Sequence, residues 1–183
     1  MSLQGKLRCP KRFITAHDQS GKAVVDNSVP SDAPFYELPN KDAAFAQCYV
    51  TSEFPVDLQA SADLNKYQQF LQSPPGLTVG NGTVLRYVDM CPSHTSPMHR
   101  TMSLDYGVVL EGEVELILDS GETRLMKRGD ICVQRATMHA WRNTSETEWA
   151  RMLYVLQPSK PLEVDGKVLT EDYGTMSGVK PSE

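Results

Sequence analysis

From residue 82 to residue 156 the chain reads GTVLRYVDM (82–90), MHRTMS (98–103), YGVVLEG (106–112), EVELILD (113–119), ETRLMKR (122–128), DICVQR (130–135), HAWRN (139–143) and EWARMLYVL (148–156). Each segment is short, rich in β-branched and aromatic residues, and separated from the next by turn-forming residues, the pattern of successive strands. Short strands at this spacing argue a closed barrel or a sandwich. Asp119-Ser120-Gly121-Glu122 and Arg128-Gly129-Asp130 read as hairpin turns, where glycine supplies the positive φ that other residues resist. No internal repeat is visible, so this stretch builds a single barrel.

Upstream, Cys9 to Val25 reads as two short strands around the turn DQSGK, an edge hairpin or arm. Asn27 to Asp42 contains Pro30, Pro34 and Pro39 and is expected to be an extended surface segment kept out of the central sheet. Ala43 to Thr51 resembles another strand. Ser61 to Gln72 is the one convincing helix, with Ser61 as its expected N-cap and Leu64, Tyr67, Phe70 and Leu71 at helical spacing. Downstream of Pro158 the chain is polar and is expected to drape over the barrel or be partly disordered. The division is therefore residues 1–81 as arm, extended segment and helix, 82–157 as barrel core, and 158–183 as tail.

The 183 residues match one domain, and 40% hydrophobic content is enough for one core. Lys and Arg number 18 against 23 Asp and Glu, a formal net charge of −5, with no basic cluster. Nucleic acid and anionic membranes are therefore poor partners. No apolar run approaches the roughly 20 residues of a membrane span. The start, MSLQGKLRCPKRF, has no apolar stretch of signal-peptide type, so a cytoplasmic location is expected. Cys9, Cys48, Cys91 and Cys132 form no C-x-x-C pair and read as free thiols.

Chemistry is expected from the histidines. Side chains at i and i+2 of a strand share a face, so His99 and Thr101 point one way, as do His139, Trp141 and Asn143. If these faces look inward, His99, His139 and Asp105 could form a two-His, one-carboxylate set suited to Fe(II) and able to accept Mn, Ni or Zn. Without a metal, the two histidines would serve as acid and base. His94, in the loop Cys91 to Pro97, could supply a third imidazole or contact substrate, whereas His17 reads as a turn residue beside Asp18. Met98, Tyr106, Met138 and Trp141 flank the ligand candidates and could line a pocket. Of Arg86, Arg100, Arg135 and Arg142, one could grip a carboxylate; a solvated outer face is the default for each.

The stretch from His99 to Gly112 resembles the first motif of the cupin superfamily. His99 stands at the first His, Thr101 at the second, Asp105 at the Glu and Gly112 at the closing Gly, so two ligand positions are altered. Gly129 to Asn143 resembles the second motif, with Arg135 for its Pro, no internal Gly, one residue fewer before His139, and His139 and Asn143 at the right separation. The whole is similar to small single-domain fungal cupins, some of them found with polyketide pathways.

The resemblance implies an all-β fold, a single cupin jelly-roll β-barrel with an N-terminal arm and one short helix. It also implies a small-molecule substrate, a possible divalent metal, and pairing into a homodimer. The leading expectation is a lyase-like enzyme that decarboxylates or dehydrates a small oxygenated or carboxylated metabolite, with His99, His139 and Asp105 catalytic. A non-haem Fe(II) oxygenase using the same residues and a non-catalytic binding cupin are the alternatives.

Overall fold

The computed structural model describes residues 4–182. Its strands are β1 (Ile14–His17), β2 (Ala23–Asp26), β3 (Phe35–Glu37), β4 (Ala43–Val50), β5 (Val84–Met90), β6 (Ser103–Glu111), β7 (Val114–Leu118), β8 (Thr123–Met126), β9 (Ile131–Arg135), β10 (His139–Asn143), β11 (Ala150–Pro158), β12 (Glu163–Val164) and β13 (Lys167–Val168), and its α-helix is α1 (Ala62–Gln72). Six strands form one antiparallel sheet in the order β3-β4-β5-β11-β6-β9, and three form a second in the order β10-β7-β8. The fold is all-β, as the strand pattern predicts, with the two-sheet jelly-roll architecture that the resemblance implies.

Alternation builds the interior. Along β6, Ser103, Asp105, Gly107 and Val109 are buried while Leu104, Tyr106 and Val108 face outward to varying degrees. Val84, Val109, Val114, Met152, Trp141 and Tyr154 join one core cluster across both sheets, each contributing about 1.5–3 kcal/mol by leaving water. The outer side of β6 and β9 leaves Tyr106, Ile131 and Val133 exposed. The expected hairpin turn at Asp119–Glu122 forms between β7 and β8, with Gly121 at φ +87°; the turn at Arg128-Gly129-Asp130 also forms, with Gly129 at φ +91°, but it carries the chain from β8 to β9 in the other sheet and is not a hairpin.

Three expectations need correction. Phe35–Glu37, in the proline-rich segment, does join the main sheet; it lies between Pro34 and Pro39 and occupies the edge, where proline is tolerated. β4 sits between β3 and β5, so the sheet extends upstream of residue 82. Its nearly continuous burial follows from cover on both sides, by the core within and by residues of the arm and by α1 without. MHRTMS is not a strand: His99 bridges to His139 while Arg100 bridges to Asp172, and a segment shared between two partners makes no continuous ladder.

The helix forms where its periodicity predicts, burying Leu64, Tyr67 and Phe70, and Tyr67 donates from its hydroxyl to Gln47 O at 2.8 Å. Ser61, however, has left-handed φ +57° and makes no side-chain capping bond. Ser61→Ala should therefore change stability by less than about 0.5 kcal/mol, against about 1 kcal/mol for a working cap; chemical denaturation measures this, and a loss near 1 kcal/mol would show that the hydroxyl caps after all.

The arm and tail cover opposite sides of the barrel. β1 and β2 form the expected hairpin, and the arm crosses the outer face of the main sheet, where Arg8 O accepts from Arg151 Nη1 at 2.7 Å. Arg151 also grips Asp89 through two bonds of 2.6 Å and stacks on Phe35 and Tyr87. The tail drapes as expected: Arg100 and Asp172 exchange backbone hydrogen bonds of 2.6 and 2.9 Å, which brings Thr175, Met176 and Ser177 over the cavity mouth.

Candidate functional site

Between the sheets lies a cavity of about 270 Å³. Its floor is the inner face of the main sheet, with Phe45 from β4, Arg86, Val88 and Met90 from β5, Asp105 from β6 and Tyr154 from β11; β10 supplies His139 and Trp141 as a wall. The loop carrying His94 and His99, and the tail, complete it.

The two histidines meet because of one backbone bridge. His99 N–H donates to His139 O and His139 N–H to His99 O, both at 2.9 Å, which sets the ring centres 4.3 Å apart. Each Nδ1 faces the carbonyl two residues earlier: His99 to Pro97 O at 2.8 Å and His139 to Thr137 O at 3.0 Å. A carbonyl only accepts, so Nδ1 of His99 carries the proton and its Nε2 keeps the lone pair, whereas Nδ1 of His139 meets both a carbonyl and the donating amide nitrogen of Gln134, so the carbonyl alone does not set its tautomer. Gln134 Nε2 shares Thr137 O at 2.8 Å and touches His139 Nδ1, while its amide oxygen accepts from Thr137 N–H and Oγ1. Burial lowers the pKa of both imidazoles, and the neighbouring His99 adds to the effect on His139, which is pushed down to about 3. Both rings are therefore neutral at physiological pH.

Asp105 is 4% exposed and its Oδ1 has no hydrogen-bond partner among the described residues; burial pushes its pKa up to about 7. These shifts give opposite signs to the pH dependence of stability. Below about 6.5 the unfolded chain protonates His99 and His139 while the folded chain resists, so the histidines cost stability as pH falls toward 3. Asp105 binds its proton more tightly when folded, so its contribution is full below about 3.8 and is lost as pH rises through 7. Asp105→Asn should remove that decline between pH 4 and 7 in urea titrations; an unchanged profile would show that Asp105 ionises normally.

The expected ligand set is only partly assembled. His99, His139, Thr101, His94 and Trp141 line the cavity together with Asp105. Yet among the described residues no group of three or more His, Cys, Asp or Glu is placed to hold a metal ion. The His99, Asp105 and His139 set therefore needs correction: two imidazole nitrogens are an incomplete donor set, since catalytic metals ordinarily take three protein ligands. The pair alone does not fit a resident Fe, Mn, Ni or Zn ion. His94 is turned instead toward Asp42, with Nδ1 3.5 Å from its carboxylate.

Three expected pocket residues lie elsewhere. Tyr106 follows inward-facing Asp105 on a strand, so alternation sends it to the outer face, 39% exposed. Met98 is outside the lining, because His99 bridges inward and its neighbour must point away. Met138 is likewise absent from the lining. Asn143 pins loops, its amide donating to Met90 O, Cys91 O and Glu148 O. His17 is exposed but ends β1, paired with Ala23, and is not in the turn expected to hold it; the four cysteines are free. Arg135 and Arg142 are exposed as expected, but Arg86 is 3% exposed and faces the cavity. Its phase with Val84, Val88 and Met90 on β5 was the sequence signal for that orientation. Asp42 and Tyr154 also line the cavity, and no sequence motif marks them.

Comparison with known proteins agrees with this architecture. The family model described as Cupin domain matches residues 86–156. Phomopsin biosynthesis cluster protein C' of Diaporthe leptostromiformis is 51% identical over 90% of this chain and 86% of its own length. Cupin-domain-containing oxidoreductase srdB of Neurospora crassa is 42% identical over 92% of this chain and 83% of its own. Among solved structures, the polyketide cyclase RemF from Streptomyces resistomycificus aligns with a TM-score of 0.49 at 16% identity, covering 85% of this chain and 89% of that one. With relatives this similar along most of its length, the chain belongs to the cupin-domain family.

Proposed function

We propose that the chain is an enzyme acting on a small oxygenated or carboxylated molecule inside the barrel, by a lyase-type step in which His99 and His139 handle the proton. The observation that supports this most is the pair of neutral imidazoles 4.3 Å apart, with Nδ1 of His99 tied to Pro97 O and its Nε2 without a hydrogen-bond partner among the described residues. In a dehydration, Nε2 of one ring takes a proton from the carbon next to a carbonyl. The resulting imidazolium returns a proton to the leaving hydroxyl, which departs as water. His99 is the stronger base of the two, since only burial depresses it, whereas His139 is depressed by burial and by His99. Asp105, near half-protonated at pH 7, is a second proton donor on the floor. Fixed dipoles and exclusion of water then stabilise the enolate-like intermediate.

The names of the relatives favour a second reading, a redox reaction in fungal secondary metabolism. Incubation with a panel of β-keto and β-hydroxy acids, followed by mass spectrometry with and without oxygen and chelator, separates the two. Loss of carbon dioxide or water under nitrogen, untouched by chelator, is expected. Elemental analysis of protein made without a polyhistidine tag should find well under one metal per chain. Near-stoichiometric iron, lost in the His99→Ala/His139→Ala variant and accompanied by oxygen uptake, would overturn the lyase reading in favour of the oxygenase.

A further inference from the structure

The floor of the cavity carries a charge that the fold does not balance. Arg86 lies at the centre of the main sheet, paired across β4 with Gln47 and across β11 with Tyr154. One of its donors is used, Nη2 to Gly76 O at 2.9 Å; Nε is buried with no partner, and no carboxylate pairs with it among the described residues. Its guanidinium sits over the Phe45 ring, 5.3 Å from the centroid. Arg151, across the same sheet, shows what a satisfied buried arginine looks like here, with Asp89 on two nitrogens and Arg8 O on the third. An arginine does not shed its proton to escape burial, and an unpaired buried ion costs several kcal/mol.

Other unsatisfied groups lie on the inner face of the same sheet. Gln47, opposite Arg86 in the register, is buried with neither amide atom partnered, and on β6 Ser103 Oγ and Asp105 Oδ1 are in the same condition. Among the described residues, five of the eight buried unpartnered side-chain atoms thus belong to residues at inward positions of one sheet. Such a group makes sense when a ligand completes it. A planar guanidinium with donors left over beyond the one on Gly76 O matches a planar carboxylate.

We propose that the substrate is a carboxylic acid, its carboxylate held by Arg86 on the sheet floor and its reacting end turned toward Nε2 of His99 and His139. This rests on the reading of the cavity as the site of turnover, but it is testable without turnover. Arg86 is then a specificity-determining residue, selecting acids over their neutral analogues.

The probes are benzoate and its neutral isostere benzamide, titrated against the whole chain by calorimetry and by the fluorescence of Trp141, which lines the cavity. Wild type should bind benzoate and not benzamide, and Arg86→Gln should weaken benzoate by about 100-fold or more. Arg86→Met should raise the unfolding temperature without ligand, because it removes an uncompensated charge; a purely structural arginine would lower it. Arg86→Lys keeps the charge and should retain weak benzoate binding, which serves if the neutral variants do not fold.

Equal binding of acid and amide, undiminished benzoate binding by Arg86→Gln, or no binding of benzoate by wild type would overturn the proposal. So would equal stabilisation by chloride or inorganic phosphate, which would make the site a general anion hole. The His139→Ala variant should still bind benzoate. Failure of the enzymatic reading would therefore show as absent turnover with Arg86-dependent binding intact.

Discussion

Alanine at position 139 will abolish turnover while leaving the barrel folded. His139 is one half of the imidazole pair, and a positioned acid or base of this kind contributes roughly 10²- to 10⁴-fold to rate. The stability cost should be small. The ring borders an existing cavity, its backbone bonds to His99 do not involve the side chain, and Gln134 retains its bonds to Thr137. Circular dichroism and thermal unfolding should therefore resemble wild type while product formation falls below detection. Acid sensitivity should also lessen, because the unfolded variant has one histidine fewer to protonate below pH 6.5. Turnover within about twofold of wild type would remove His139 from the mechanism, and collapse of the fold would show that the pair is structural.

The largest loss of stability is expected at Asp89. The carboxylate is fully buried and holds Arg151 through two 2.6 Å bonds, and Arg151 in turn ties down the arm at Arg8. Asp89→Ala leaves a guanidinium buried without its counter-charge, which costs about 3–5 kcal/mol. For a chain of this size the unfolding temperature should drop by about 10 °C or more. Replacing both partners at once, Asp89→Leu with Arg151→Met, should recover most of the loss, since an apolar pair of similar volume needs no compensation. A single substitution costing under 1 kcal/mol would mean that water enters behind the arm and solvates Arg151.

The contrast between Arg86 and Arg151 shows where reading the chain alone stops. Both stand in apolar strands, and their types and phases are plain in VLRYVDM and ARMLYVL. Nothing local says that one meets an aspartate across the sheet and the other a cavity. Likewise, HAWRN announces inward His139 and Trp141 by alternation, and both line the site. The same rule, applied to SLDYG, places Tyr106 outside once Asp105 is inside; its position beside a ligand candidate suggests the pocket, and the strand geometry turns it away.

Reading along the chain suffices for the strand succession, the hairpin turn at Gly121, a turn at Gly129, the helix and the faces of β6 and β10, because these depend on interactions within a few residues. It also identifies the family, through spacings that survive two altered ligand positions. The three-dimensional arrangement is needed to see that β3 and β4 enter the main sheet, that the Gly129 turn crosses between sheets, that Ser61 caps nothing, that His99 and His139 stand 4.3 Å apart, and that among the described residues Asp105 joins no metal-holding group and Arg86 no ion pair. Each of these turns on a partner distant in sequence. Side-chain separations of a few ångströms, on which ligation and charge pairing depend, arise only when the sheets, arm and tail close on one another.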